Sequence, residues 1–259
     1  MLLPSLLLMS DTDSNKFVPF LAIFAAPFAI GAFLLGWAPA TQYANEDPAR
    51  DGYVQPRSIE QLVNRTQAST VTIWCFPGKG EGSQGTAWAI DLATNVSGEN
   101  PTTLITNHHV IEECIGKKNA VFIALPYEKR VAAVITKWDE ENDIAVIAST
   151  LELPALELSE SVPWPGYWVM ALGSADGYEG SVSFGNVINS NTAELLITNN
   201  ISQGSSGGPL VDNEGNVVGV TSWGLDAEQY NGAKSLDAFC NKILECKYDN
   251  GRTWWEYSD

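Results

Sequence analysis

One hexapeptide stands out for the chemistry it could support: Gly204-Ser205-Ser206-Gly207-Gly208-Pro209. At average Gly, Ser and Pro usage, five fixed positions of G-x-S-G-G-P arise by chance about once in a million windows. A serine that attacks an acyl carbon needs backbone N–H groups aimed at the developing oxyanion, so the chain beside it must turn sharply with little side-chain bulk. Gly204 offers one such N–H and Ser206 the other. A merely flexible Gly/Ser turn would not require Pro209 and a strand-like run directly after it. A serine hydroxyl is a weak nucleophile at neutral pH and needs a base beside it. The chain has two histidines, adjacent in Thr106-Asn107-His108-His109-Val110. Side chains alternate along an extended segment, so only one of the pair can face the serine. Among Asp139, Glu140, Glu141 and Asp143, only Asp143 opens directly onto an apolar run, 144–148. It is therefore the acid drawn partly inside, where a carboxylate can hold an imidazole's tautomer and stabilise the imidazolium. The order His–Asp–Ser excludes an α/β-hydrolase, which runs Ser–Asp–His. A histidine base would lose activity toward acid between about pH 8 and 5.

The elements that must carry these groups read as β-structure. Short apolar or alternating runs recur at 71–76, 86–90, 103–105, 120–125, 131–136 and 144–148, separated by Gly, Asn, Asp and Pro clusters. A Pro-rich break at 153–165 follows, and strand-like runs resume at 167–172, 181–188, 194–198, 209–211 and 217–223. Two sets of about six short strands with one connection predict two antiparallel six-stranded β-barrels in tandem, the first over about 65–150 and the second over about 164–259. Ser58 opens a short helical stretch with Ile59, Leu62 and Val63 on one side, after a polar, Pro-containing linker over 41–57. Leu236, Phe239, Ile243 and Leu244 have the spacing of a short closing helix over 235–246.

Composition narrows the function classes. Hydrophobic residues make up 45% of the 259 positions, which is globular usage. Against 31 Asp+Glu there are 14 Lys+Arg, a formal charge of −17. A phosphate backbone calls for a dense cationic face, so nucleic acid is excluded as a partner. Residues 17–38 form an uncharged apolar run, preceded by Lys16 and followed by Ala38-Pro39-Ala40. Over 1–40 this reads either as a cleaved signal peptide with a small-x-small site or as a membrane anchor, long enough for a hydrocarbon core of about 30 Å. Both readings export the rest of the chain. The four cysteines, none in C-x-x-C spacing, permit three pairings. Cys75–Cys114 with Cys240–Cys246 is favoured because each pair then stays within one half of the protein, the alternative being buried free thiols.

Thr106-Asn107-x-His109-Val110 resembles the histidine motif of the HtrA/Deg branch of trypsin-like serine peptidases, and Asn142-Asp143-Ile144-Ala145-Val146 is similar to the segment bearing that family's aspartate. The resemblance selects His109 over His108 and spans roughly 65–225, including Gln84-Gly85-Thr86-Ala87, Ala171-Leu172-Gly173-Ser174 and Gly185-Asn186-Val187. It implies a chymotrypsin-like fold and a serine endopeptidase that needs no metal or organic cofactor and acts on polypeptide substrates, the alternative being a catalytically silent binding module that keeps the barrels and the substrate strand. Ser206 would be the nucleophile, His109 the base and Asp143 its partner, with Gly204 and Ser206 forming the oxyanion hole. Asn200 and Ile201 would lie near the base of the pocket for the residue before the scissile bond, with Thr221, Ser222, Trp223 and Gly224 along its wall. Residues 222–224 would bind peptide by strand addition. No acid in these positions demands Arg or Lys, although Asp226 could reach in, so the expected preference is for small or medium apolar residues. Two departures bear on regulation. Ser205 stands where digestive relatives have Asp, so activation by a newly cleaved N-terminus is not expected. The 53 residues after Ser206 leave no room for the PDZ domain of many HtrA relatives.

Overall fold

In a computed structural model the chain is described over residues 52–78, 82–92, 100–160, 163–224, 230–240, 242–244 and 246. The export segment expected over 1–40 lies outside these residues. Among the described residues, no helix is long and apolar enough to cross a membrane.

Six strands form the first closed barrel: β1 (Thr70–Cys75), β2 (Ser83–Ile90), β3 (Thr102–Thr106), β4 (Val121–Ala124), β5 (Val131–Asp139) and β6 (Ile144–Ser149). Around it they run in the order β1-β2-β3-β6-β5-β4. The second barrel takes β7 (Trp168–Gly173), β8 (Ser181–Ser190), β9 (Glu194–Ile197), β10 (Pro209–Val211), β11 (Val217–Gly224) and β12 (Asn231–Ser235) in the order β10-β11-β12-β9-β8-β7. Counted from its own first strand, each barrel closes in the same order, and every ladder is antiparallel. Both barrels belong to one compact unit.

Strand alternation explains how the barrels join. Along β6, Ala145 and Ile147 point into the first barrel's interior, while Ile144 and Val146 enter a separate apolar cluster shared with the second barrel. Along β7, Val169 and Ala171 fill the second interior, whereas Trp168, Met170 and Leu172 join that same shared cluster. A strand buried on both faces reads as a continuous apolar run, as β6 and β7 do, because successive side chains face opposite cores. The outward-facing β5 and β8 instead carry exposed Val134, Trp138, Phe184 and Ile188. At roughly 25 cal/mol per Å² of apolar area removed from water, the shared cluster holds the barrels in register and so fixes the cleft between them.

Before β1, α1 (Ile59–Ala68) buries Leu62 and Thr66. Glu60 in its first turn and Arg65 in its last complement the helix dipole, and Arg65 Nη2 donates to the Glu214 carbonyl in the β10–β11 hairpin. The end of the expected linker lies on the second barrel: Trp168 N donates to Gly52 O at 2.7 Å, and the Tyr53 and Tyr167 rings meet edge to face at 4.6 Å. The closing helix expected over 235–246 is not formed among the described residues. A single 3-10 turn, Leu236–Ala238, stands there, and beyond it Cys240 bridges Leu244 and is disulfide-bonded to Cys246, six positions on. The second disulfide, Cys75–Cys114, ties the end of β1 to the turn that follows the histidine pair. Both favoured pairings are therefore present, and no described cysteine is free.

Candidate active site

Each candidate group sits where a strand ends at the cleft. Past β3 the chain turns into the one-turn helix α2 (His108–Ile111), which buries His108 and leaves the His109 side chain 47% exposed. Asp143 closes the β5–β6 turn with φ 55°, a left-handed conformation that Asp tolerates through local hydrogen bonding. Asn107 Nδ2 donates to the Asp143 carbonyl at 2.8 Å and pins that turn to the end of β3. The Asp143 carboxylate then faces His109, with Nδ1 at 2.9 Å from Oδ2 and the His109 amide donating to Oδ1 at 3.0 Å. A third donor comes from the other barrel, Ser222 Oγ to Oδ2 at 2.7 Å. Burial pushes the Asp143 carboxyl up, but the bonds from the His109 ring and amide, the imidazolium charge and Ser222 outweigh it and hold the group below the usual carboxylate value. When the ring is neutral and Nδ1–H is directed at the carboxylate, Nε2 keeps its lone pair and can accept a proton.

Ser206 lies on the loop between β9 and β10. Gly204 and Gly207 beside it have φ 91° and 87°. A Cβ on the first would strike the Ser174 carbonyl and on the second the Thr86 carbonyl, so glycine is obligatory at both positions. Ser206 Oγ donates to the Ser222 carbonyl at 3.1 Å, and among the described residues no hydrogen bond joins it to His109. Neither Gly204 N nor Ser206 N donates to an acceptor among the described residues, which leaves two amides free beside the hydroxyl. Ser205 is buried and its Oγ accepts from Ser202 N at 3.3 Å, a local bond where a charged side chain would need a distant partner.

A cavity of about 680 Å³ opens beside Ser206, and Asn200, Ile201, Ser222, Trp223 and Gly224 line it. Thr221 does not. Its hydroxyl is buried under the loop, donating to Ser205 O at 2.7 Å. Asp226 lies outside the described residues. Sequence reasoning missed Asp176 and Asn231, which also line the cavity. Asp176 has φ 51° and donates its amide to Gln203 O at 2.7 Å, a contact between segments that no local pattern signals. Among the described residues, no group of three or more His, Cys, Asp or Glu is arranged to hold a metal ion.

Two closed six-stranded barrels with a serine, a histidine and a carboxylate at their junction define a class of protein, the chymotrypsin-like serine peptidases. Residues 85–220 match the trypsin-like peptidase domain family, and the chain belongs to that family. It is 32% identical over 201 residues to the protein y4bJ of Sinorhizobium fredii, covering 69% of this chain and 29% of that protein. It is 34% identical over 129 residues to a probable periplasmic serine endoprotease, DegP-like, of Hahella chejuensis, covering 46% of this chain and 27% of that protein. The chain thus spans less than a third of the length of either relative. Its fold is similar to that of the active form of the Rv3671c protease of M. tuberculosis, with a TM-score of 0.60 at 20% identity over 75% of this chain and 90% of that one. It is also similar to a serine endoprotease of Yersinia pestis, with a TM-score of 0.58 at 22% identity over 70% and 64% of the two chains.

Proposed function

We propose that the chain is a serine endopeptidase that hydrolyses peptide bonds of exported or surface proteins through an acyl-enzyme intermediate. The observation that carries this reading is the His109–Asp143 pair, 2.9 Å apart and joined to the other barrel by Ser222, whose hydroxyl donates to Asp143 and whose carbonyl accepts from Ser206 Oγ. In this reading His109 Nε2 takes the proton of Ser206 Oγ as that oxygen attacks the scissile carbonyl, and Asp143 stabilises the imidazolium. The free Gly204 and Ser206 amides receive the oxyanion, and His109 returns the proton to the departing amine.

The resting bond from Ser206 Oγ to Ser222 O fits this cycle. Residues 222–224 end a strand whose cleft-side edge is open to an added peptide strand, and an incoming peptide N–H competes for that same carbonyl. In this reading its arrival frees Oγ to donate to His109 Nε2. The apolar run 17–38, the paired cysteines and the periplasmic description of the Hahella chejuensis relative support an exported location. The test is digestion of a fluorogenic peptide library by the full chain, with Ser206→Ala and His109→Ala as blanks. Cleavage by the wild type alone supports the reading, and identical digestion by all three chains overturns it.

A further inference from the structure

One residue of the first barrel holds the nucleophile loop of the second by both its backbone and its side chain. Thr86, fully buried in β2, donates its amide to the Ser206 carbonyl at 2.8 Å. Its hydroxyl donates to the Gly204 carbonyl at 2.7 Å and accepts from the Ser174 amide at 3.0 Å. The Ser174 amide also reaches Gly204 O at 3.3 Å, and the Ser174 hydroxyl pairs with Thr72 Oγ1 at 2.6 Å. Thr86 thus fastens the 204–205 and 206–207 peptide units, which lie on either side of the unit that carries the Ser206 amide.

We propose that Thr86 is a positioning residue that, by holding the peptide units on both sides of the Ser206 amide, restrains the turn between the Gly204 and Ser206 amides, an inference that rests on Ser206 being the nucleophile. A hydroxyl has one proton to give, and here it is committed to Gly204 O. Glycine visits many backbone states, so the Gly204 conformation needs an external bond to make it dominant. The loop gets little help from the sheet, because β10 begins only at Pro209. Without the hydroxyl, the buried Gly204 carbonyl keeps only the longer Ser174 bond, so the 204–205 unit, which joins the residues bearing the two free amides, is less firmly held. Donors for an oxyanion act only when aimed in advance, so this freedom lowers the rate of the chemical step and leaves substrate binding intact.

The test compares full-length wild type, Thr86→Val, Thr86→Ser and Ser206→Ala. The readouts are the kinact and KI of fluorophosphonate labelling, the Tm, and hydrogen–deuterium exchange over residues 199–208. Valine matches threonine in shape but lacks the donor, whereas serine keeps it. Loss of one oxyanion donor costs about 10²–10³, so Thr86→Val is expected to lower kinact about 10- to 100-fold with KI unchanged, and Thr86→Ser to restore it to within about 3-fold. Exchange over 199–208 should rise in the valine variant and remain unchanged in the rest of the second barrel. Wild-type labelling and exchange in Thr86→Val overturn the proposal, as does exchange raised evenly across both barrels. If the wild type does not label, the nucleophile assignment fails, and exchange over 199–208 still decides the role of Thr86. Thr86→Ala replaces the valine variant if the latter does not fold.

Discussion

Asp143 receives its three donors from three directions: the His109 ring, the His109 amide and, across the cleft, Ser222 Oγ. Its carboxyl sits below the ordinary value of 3.8, so ionisation favours the folded state. That stabilisation is complete above 3.8 and is lost as the pH falls through the lower folded value. Asp143→Asn should therefore unfold at lower urea than wild type at pH 7, with the gap closing below about pH 3.8. The same change should lower kcat about 10⁴-fold by favouring the wrong imidazole tautomer. A gap that stays constant with pH would contradict the pairing. Ser206, the histidine pair and Asp143 stood out by local rules: glycines around a sharp turn, a scarce base, an acid at the mouth of an apolar run; the choice of His109 over His108 came from the resemblance. The Ser222–Asp143 bond spans 79 residues, and the Asp176–Gln203 contact likewise joins distant segments, so neither leaves a mark in a local window.

At the scale of elements, the strands that meet both cores were plain in the sequence, and β12 was not. Asn231-Gly232-Ala233-Lys234-Ser235 has neither the apolar alternation nor the β-branched residues of a strand. It pairs because β9 and β11 flank it and supply a ladder on both sides. The apolar spacing at 236–244 is real, but it serves a turn: Leu236, Phe239, Cys240 and Leu244 all enter the cluster between the barrels. The disulfides that frame these regions differ in what they constrain. Cys75–Cys114 closes a separation of 39 residues and Cys240–Cys246 one of 6. By loop entropy, removing the first as a double alanine variant should cost about 4 kcal/mol and removing the second about 2 kcal/mol. Denaturant unfolding of the two variants checks this, and an equal or reversed order would contradict it.

For the whole molecule, the two barrels close in the same strand order although no internal repeat is evident in the sequence. A barrel asks only for alternation and turns, so many sequences satisfy one topology, and its duplication becomes visible in ladders before it does in residues. The apolar cluster between the barrels makes them act as one unit, and Asp237 sits at the edge of that cluster. Asp237 is 8% exposed, and its Oδ2 has no partner among the described residues. Burial pushes its carboxyl up to about 6, against the charge of Lys242, which pulls it down. The folded state holds that proton more tightly than the unfolded chain, so the charged carboxylate costs stability above about pH 6, and the cost fades as the pH falls toward 3.8. Asp237→Asn should raise the Tm at pH 8 and match wild type near pH 4. Equal melting at pH 8 would show that the charge is accommodated.

Ser206 Oγ donates to Ser222 O and through Ser222 is linked to Asp143 and His109, and the Gly204 and Ser206 amides have no acceptor among the described residues. The most direct measurement is fluorophosphonate labelling of the full chain in parallel with Ser206→Ala. The account predicts a single phosphonylated serine in the wild type, mapped to position 206 by mass, and none in the variant. A folded wild type that stays unlabelled, or equal labelling of the variant, would contradict it.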